Sequence, residues 1–493
     1  MSLEGTDRSK AGERVARSPL LAALLSAIVP GAGQLYAGQR RRGIILLALS
    51  AALIVAALVW VAADPIAVAK LAFEPSVLKG LLVADVALLA FRIWATWDAY
   101  RSAAPPSRPP AAAMAAAGIV AAAMLIVPHA LFASYDLTQL DLITSVFAGP
   151  ATTTEVPTTT STVPPQTIAT TSDPAAAPTT PAPTTSSTTT TTVPPTIWDG
   201  IERVNILLLG SDAGLGREGV RTDTIILASV DPANGDTVLF SIPRNFVQVP
   251  LPDSIDIWSC DCFPSMINGL YGFAERNPDV FPGSIPPGAT ALKLAIGEML
   301  GLPVHYYSLV ALDGFVDIVN ALGGVTITVT ERIYDSAYPK EGGGTEVIDF
   351  QPGVYNFDGH DALAYARSRQ STDDYNRMGR QRCVVEALAA EADPVTLLRG
   401  FPAIAEAIKR SVETDIPLDA VPDLIELAAL VDTERAFSVA LLPPLYISGR
   451  SAEGFNIPNV DLMREHAQIA TTLPAEEAMA LLGIDPLADD CGR

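Results

Sequence analysis

Three apolar stretches in the first third of this 493-residue chain are each long enough to cross a lipid bilayer, which takes about 20 apolar residues. They cover residues 44–63, 78–97 and 111–133. A fourth apolar stretch, residues 20–29, is too short to cross and continues into a glycine-rich turn. The chain therefore folds partly in lipid, and the location of every later segment depends on the number of crossings.

Basic residues predict the orientation of these stretches. Arg14 and Arg17 precede the short stretch, and Arg40, Arg41 and Arg42 follow it. Such clusters stay in the cytoplasm, so residues 20–36 are expected to dip into the membrane and return, or to lie in the interface. Residues 1–135 then form a multi-pass cell-membrane region with three transmembrane helices, and everything after it lies outside the cell.

Residues 149–197 consist almost entirely of Thr, Pro, Ala and Ser. A segment of this composition buries too little apolar surface to offset the entropy of ordering it. It is predicted to be a disordered linker, which could either extend the following domain away from the bilayer or let it fold back onto the membrane.

Residues 198–493 have the composition of a globular extracytoplasmic domain. Strand patterns at 204–209, 224–230 and 237–242 are followed by helical patterns at 290–300 and 313–321, with further strands near 305–310 and 325–329. Strands that alternate with helices favour an α/β fold, an α/β/α sandwich around one mixed sheet. Residues 384–430 are predicted to be largely helical, and 436–442 to form a late strand.

Charge and cysteine content narrow the possible partners. The net charge is −22, which argues against nucleic acid as a partner. All four cysteines follow the membrane stretches, where disulfides are permitted. Two pairings stay open from the sequence, Cys383 with Cys491, or Cys383 with Cys260 or Cys262.

Three groups of polar residues stand out within the sequence of the globular domain. The first is Leu209-Gly210-Ser211-Asp212 followed by Arg221-Thr222-Asp223-Thr224, the second is Ile242-Pro243-Arg244-Asn245, and the third is Arg367-Ser368-Arg369 followed by Asp373-Asp374-Tyr375-Asn376-Arg377-Met378-Gly379-Arg380-Gln381. In content and order they resemble the LytR–CpsA–Psr family of cell-wall glycopolymer ligases, most closely over residues 201–390.

The resemblance implies a phosphotransferase that moves an anionic glycopolymer from a polyprenyl diphosphate carrier to peptidoglycan, forming a phosphodiester, with diphosphate hydrolysis as a side activity. The lipid tail would lie in an apolar pocket, so membrane lipid is an expected partner too. A second hypothesis is that the chain is an envelope protein with weakened catalysis. Such a protein would bind polyprenyl phosphate or have a regulatory role.

Arginine suits a diphosphate because its planar fork grips phosphate oxygens in pairs. We therefore expect Arg244, Arg367 and Arg369 to be catalytic, together with Asp374 as a base for the acceptor hydroxyl. The helical spacing of Arg377, Arg380 and Gln381 places them on one face, and with Arg221 they are expected to bind substrate. Two structural alternatives stay open: an Arg221–Asp223 ion pair, and an N-cap role for Asp374.

The family pattern implies a magnesium ion held by Asp223 and Asn245 beside the substrate phosphates. Asn245 stands where the family usually has aspartate. Its carbonyl oxygen can still bind a cation, but one negative charge is lost, so weaker metal binding is expected.

Overall fold

The computed structural model describes residues 17–103, 110–147, 198, 200–212, 220–340, 343–368, 374–391, 394–431 and 435–486, with the backbone alone for 374 and 394–399. The linker predicted at 149–197 lies outside these residues. The described part comprises an N-terminal helical module and an α/β domain.

The helical module consists of six helices. Two of them, of 24 and 36 residues, are long and apolar enough to cross a membrane, and they anchor the chain. The helices are α1 (Pro19–Ile28), α2 (Ala32–Tyr36), α3 (Arg40–Ala63), α4 (Pro65–Leu71), α5 (Pro75–Ser102) and α6 (Ala111–Val146), of which α3 and α6 are the two apolar ones.

The predicted re-entrant segment is a helix–turn–helix in which α1 and α2 pack closely. A Cβ on Gly33 would lie 2.0 Å from the carbonyl oxygen of Ala22, so only glycine permits this approach. Gln34, fully buried, donates to the carbonyl of Ala95 on α5 at 2.8 Å. The glycines of this turn therefore serve helix packing.

Helix α5 contains the second of the three predicted crossings, residues 78–97, but it is less apolar than α3 and α6. It carries Lys79, Asp85, Arg92, Asp98 and Arg101 along its 28 residues. Its crossing, and with it the multi-pass topology, stays a prediction.

The centre of the α/β domain is a mixed six-stranded sheet. The strands are β1 (Val204–Ser211), β2 (Thr222–Val230), β3 (Thr237–Ser241), β6 (Tyr306–Ala311), β11 (Val412–Thr414) and β12 (Phe437–Ala440), in the order β11-β6-β1-β2-β3-β12. The pairs β1–β6 and β3–β12 are parallel, and the other neighbours are antiparallel. This confirms the predicted α/β class and its mixed sheet.

The sheet has a closed face and an open face, because side chains alternate along each strand. On the closed face, Leu207 and Leu209 pack in the main core against α7 (Leu270–Arg276), α8 (Pro287–Leu300) and α14 (Val460–Thr472), beside α15 (Ala475–Leu482). On the open face lie α9 (Leu312–Leu322), α10 (Gly359–Arg367) and α11 (Asp374–Glu391). The arrangement is the predicted α/β/α sandwich.

Four small two-stranded sheets lie outside the central sheet. The strand predicted at 325–329 is among them, because its partner is the strand beginning at Gly353 and not the central sheet. The pairs are β4 (Val249–Pro250) with β5 (Cys262–Phe263), β7 (Val325–Val329) with β10 (Gly353–Phe357), β8 (Ile333–Pro339) with β9 (Thr345–Phe350), and β13 (Ile447–Arg450) with β14 (Asn456–Pro458).

The α/β domain contacts the helical module through helices α12 (Pro394–Ser411) and α13 (Val421–Leu430). Lys409 of α12 forms an ion pair with Asp141 of α6, and Lys70 of α4 forms one with Glu426 of α13. The rings of Tyr135 and Phe401 stack with centroids 6.2 Å apart. The sequence left open whether the α/β domain extends away from the membrane region or folds back onto it. In the structure, the domain is folded back onto the helices.

The structure contradicts the predicted alternative in which Cys383 is bonded to Cys260 or Cys262. The structure bonds Cys260 to Cys262 with an S–S distance of 2.00 Å, so neither is bonded to Cys383. Cys383 is itself disulfide-bonded, and Cys491 lies outside the described residues.

We predict that a zero-length carbodiimide coupler applied to the full chain in membranes joins Lys409 to Asp141 and Lys70 to Glu426, because it links amines only to carboxylates in direct contact. Mass spectrometry of the linked peptides measures both products. In the control variant Lys409→Arg, the charge remains but the coupling chemistry is lost, so only the Lys70 product should survive. Absence of both products from the wild-type chain would contradict the folded-back arrangement.

We also predict that Cys260 and Cys262 resist alkylation until the exported protein is reduced, since a bonded sulfur cannot react with an alkylating agent. Peptide mass mapping with and without reductant measures this. Alkylation of both residues without reductant would show that the bond does not form in the cell.

Candidate active site

The open face of the central sheet forms the floor of a cavity of about 480 Å³, within the range of about 300–1,000 Å³ typical of small-molecule sites. Most of its wall is apolar and comes from the sheet and from α9, α10 and α11. These residues include Leu208, Ile226, Val310, Phe315, Ile318, Leu363, Val384, Val385 and Leu388. Such a wall favours a hydrocarbon ligand.

One part of the lining is charged. Asp212 follows β1, Asp223 lies in β2, Arg367 ends α10, and Arg377 lies in the first turns of α11. These elements are distant in sequence, so the fold brings together acidic and basic groups beside an apolar space. The cavity therefore suits an amphiphile with a charged head and an apolar tail.

Asp223 is the centre of the polar contacts. Its Oδ2 accepts from Nη1 of Arg244 at 2.5 Å, and its Oδ1 accepts from the amide of Asn268 at 2.9 Å. Nη1 of Arg377 lies 4.0 Å from the same Oδ2. The register of β2 with β3 pairs Ile226 with Ser241, and its continuation sets Asp223 opposite Arg244.

These contacts bear on the Arg221–Asp223 ion pair that the sequence left open. Asp223 is paired with Arg244 and approached by Arg377, whereas Arg221 is exposed and does not line the cavity. The backbone of Arg221 exchanges hydrogen bonds with Asp212, donating to its carboxylate at 2.9 Å. Arg221 therefore lies beside the charged end, and its predicted substrate contact stays a prediction.

Arg377 and Gln381 are both buried and both line the cavity, as their spacing of four on α11 requires. Only 3% of Arg377 is exposed, so its charge is largely removed from water. A buried guanidinium needs an anionic partner, because an unpaired buried charge is costly. Asp223 is one such partner, and a phosphate in the cavity would be another.

The contacts of Arg380 differ from the predicted role in substrate binding. Its Nε donates to the carbonyl of Tyr365 at 2.7 Å, its Nη2 donates to the carbonyl of Ser368, and its guanidinium lies over the Tyr365 ring. Burial raises the pKa of Tyr365, although the charge of Arg380 opposes this. Arg380 does not line the cavity, and it fixes the chain where α10 ends, next to Arg367.

Two of the predicted catalytic residues cannot be placed. Arg369 lies outside the described residues, and of Asp374 only the backbone is described, at the first position of α11. Asp374 stands where an N-cap or first-turn acid would stand, so its role stays a prediction.

The predicted magnesium ligands fit a partly hydrated ion. Among the described residues, the buried Oδ1 of Asn245 has no hydrogen-bond partner, and its carbonyl oxygen is a ligand that hard cations accept. No group of three or more His, Cys, Asp or Glu side chains arranged for a metal occurs in the described ranges. Magnesium commonly uses one or two protein oxygens plus substrate phosphates. Asp223 lines the cavity and can supply one such oxygen, whereas Asn245 is not among the lining residues, so a shared magnesium site stays a prediction.

Two further polar residues of this region were not predicted as site residues. Asn268 holds Asp223 through its side-chain amide, and the dipeptide Ile267-Asn268 is the signal in the sequence that could have marked it. Asp335 lines the cavity, is 6% exposed and accepts from the Ser368 hydroxyl at 3.2 Å. It lies on β8, a strand that the sequence pattern did not reveal, so nothing in the sequence marked it.

The LytR_cpsA_psr family model matches residues 169–442, which is more than half of the chain. The chain belongs to the LytR_cpsA_psr family. The match contains every described residue of the charged end, together with β1, β2, β3 and the cavity helices. This match confirms the family resemblance that the motifs indicated.

Curated relatives carry the name polyisoprenyl-teichoic acid–peptidoglycan teichoic acid transferase TagU. The Enterococcus faecalis protein is 27% identical over 265 residues, covering 53% of this chain and 75% of its own. The Halalkalibacterium halodurans protein is 28% identical over 222 residues, covering 45% of this chain and 63% of its own. The crystal structure of Bacillus subtilis TagV covers 55% of this chain and 98% of its own, at 23% identity and a TM-score of 0.40.

We predict that Arg380→Ala lowers the free energy of unfolding by about 2 kcal/mol or more, because two backbone carbonyls lose a charged donor in a buried setting. Arg367→Ala, at the cavity wall, should leave stability nearly unchanged. The thermal midpoints of the two purified full-length variants in detergent measure this difference. Equal midpoints would contradict the positioning role of Arg380.

Proposed function

We propose that this protein transfers an anionic glycopolymer from a polyprenyl diphosphate carrier to peptidoglycan, forming a phosphodiester. The observation that carries the proposal is the cavity itself, in which an apolar space adjoins Asp223, Arg367 and Arg377. The names of the curated relatives, which are teichoic acid transferases acting on peptidoglycan, support the same chemistry.

The apolar wall would hold the start of the polyprenyl chain, and the diphosphate would lie at the charged end. There Arg377, already desolvated, would exchange its distant contact with Asp223 for direct bonds to phosphate oxygens. Arg367 approaches the same end from α10. Charge stabilisation by such fixed donors is the main requirement for phosphoryl transfer.

A magnesium ion, if bound by Asp223 and Asn245, would neutralise phosphate charge in the transition state. Arg244 pairs with Asp223 and so holds this carboxylate in place. Asn268 fixes the other carboxylate oxygen. Asp374 is the proposed base that accepts the proton of the attacking peptidoglycan hydroxyl as the bond from phosphorus to the carrier phosphate breaks.

The membrane region would present the lipid-borne substrate to this cavity. We propose that α3, α5 and α6 cross the cell membrane with the α/β domain outside. The fold-back contacts of α4 and α6 with that domain keep the cavity near the bilayer that contains the carrier. Hydrolysis of the diphosphate would be a side activity, with water in place of the sugar hydroxyl.

Asn245 supports one alternative, an envelope protein that binds the polyprenyl phosphate without turning it over. The neutral amide lacks the charge that aspartate would offer to a metal ion. In that case the apolar wall and the arginines would still retain the lipid, and the protein would act as a binding or regulatory module.

We predict magnesium-dependent release of polyprenyl phosphate when the purified full chain is given a polyprenyl-diphosphate-linked saccharide. Arg377→Ala should lower the rate by about 100-fold, the cost of removing one preorganised charge-stabilising group. Asn245→Asp should lower the magnesium concentration for half-maximal rate by roughly one order of magnitude, since ligand charge tunes affinity. Chromatography of the released lipid measures both effects.

Arg332→Ala is the matched control, because Arg332 is exposed, forms an ion pair with Asp349 and does not line the cavity. It should leave the rate unchanged. No lipid release by the wild-type chain, with saturable lipid binding and release regained in Asn245→Asp, would favour the binding module. No binding by either chain would overturn both proposals.

A further inference from the structure

The helical module contains a buried group of ionisable side chains that the proposed wall chemistry does not use. On α5 these are Asp85 and Arg92, and on α6 they are His129 and Asp136. His129 and Asp136 are each 6% exposed. Ionisable residues are rare inside membrane helices because their burial is costly, and where they occur they mark sites of function.

His129 connects the acid and the base of α5. Its Nδ1 lies 2.6 Å from the carboxylate of Asp85, and its Nε2 lies 3.3 Å from Nη1 of Arg92. A guanidinium only donates hydrogen bonds, so Nε2 is the acceptor and the imidazole proton is on Nδ1, facing Asp85. In this arrangement His129 is neutral, and the charges of Arg92 and Asp85 compensate each other through it.

Within this group of four side chains, Asp136 is the carboxylate that does not take part in this charge compensation. Among the described residues its buried Oδ2 has no hydrogen-bond partner, and Asp85 of α5 is the other carboxylate of the group. A buried, unpaired carboxylate beside another carboxylate is unstable as an anion. It therefore requires a cation at this point of the seam between α5 and α6.

Among the described basic residues of the elements packed around α6, Lys79 of α5 is exposed and Lys70 of α4 pairs with Glu426. The described contacts of Arg92 go to His129 and to the carbonyl of Ala27, and α1 itself has no charged residue. From α12, Lys409 is paired with Asp141 and Glu406. From β11, Glu413 accepts hydrogen bonds from the hydroxyls of Tyr271 and Tyr307.

We propose that the seam between α5 and α6 is a proton-binding site, in which Asp136 takes up the proton on the same seam as the bonded Asp85–His129 pair. The site is independent of the proposed wall chemistry, but it rests on the proposed crossing of the membrane by α5.

Dicyclohexylcarbodiimide tests this site, because it reacts with protonated carboxyl groups in apolar surroundings. The full chain in its native membrane is treated between pH 5 and pH 9, and the modified residue is identified by peptide mass mapping. Asp136 should carry the label at low pH, and the label should decline as the pH rises and the carboxyl ionises. Absence of label on Asp136 throughout this range would overturn the proposal.

Two variants and one salt comparison complete the test. Asp136→Asn should lose the label, whereas Asp141→Asn, an exposed acid on the same helix, should keep it. Labelling should be equal in sodium and choline chloride. Protection by sodium alone would replace the proton by a metal cation and so contradict the proposal. Because polyprenyl phosphate release is not measured here, failure of this test leaves the proposed wall chemistry standing.

Discussion

The carboxylate of Asp223 connects the parts of the site. It lies on β2, is held by Arg244 from the end of β3 and by Asn268 from the 3₁₀ turn before α7, and faces Arg377 of α11. This negative charge faces two guanidiniums in a partly buried space and offsets part of their positive charge. The carboxylate thus allows a basic site to form in a chain whose net charge is −22. An anionic substrate can then take over part of that compensation.

The two faces of the central sheet explain how one domain combines stability with an open cavity. Leu207 and Leu209 belong to a large core with α7, α8 and α14, and this half of the domain holds the strands in register. The other face is left to the cavity, whose floor includes Leu208 and Ile226. Alternation along a strand separates these roles residue by residue, so cavity residues can change without loss of the main core.

Much of this fold could be predicted from the sequence, because buried strands and amphipathic helices leave strong periodic patterns. The strand 204–209 and the helix 313–321 lie within β1 and α9, and the motifs identified the family. The partners of individual side chains could not be predicted. Arg377 and Arg380 share one helix and nearly one face, yet Arg380 binds the carbonyls that end α10. The end of α10 and the position of β8 are set by tertiary packing, which has no local signature.

Helix α6 has a mechanical consequence. Its 36 residues span about 54 Å, whereas the hydrocarbon layer is about 30 Å thick. If α6 crosses the membrane as proposed, its last turns extend beyond the lipid, and α12 packs against α6 at Tyr135 and Asp141. The α/β domain would then be held at a fixed distance from the bilayer. Under the proposed function, glycan strands at that distance would be within its reach, whereas strands in more distant layers of the wall would not. The geometry of the mounting would thus select the acceptor before any contact in the cavity does.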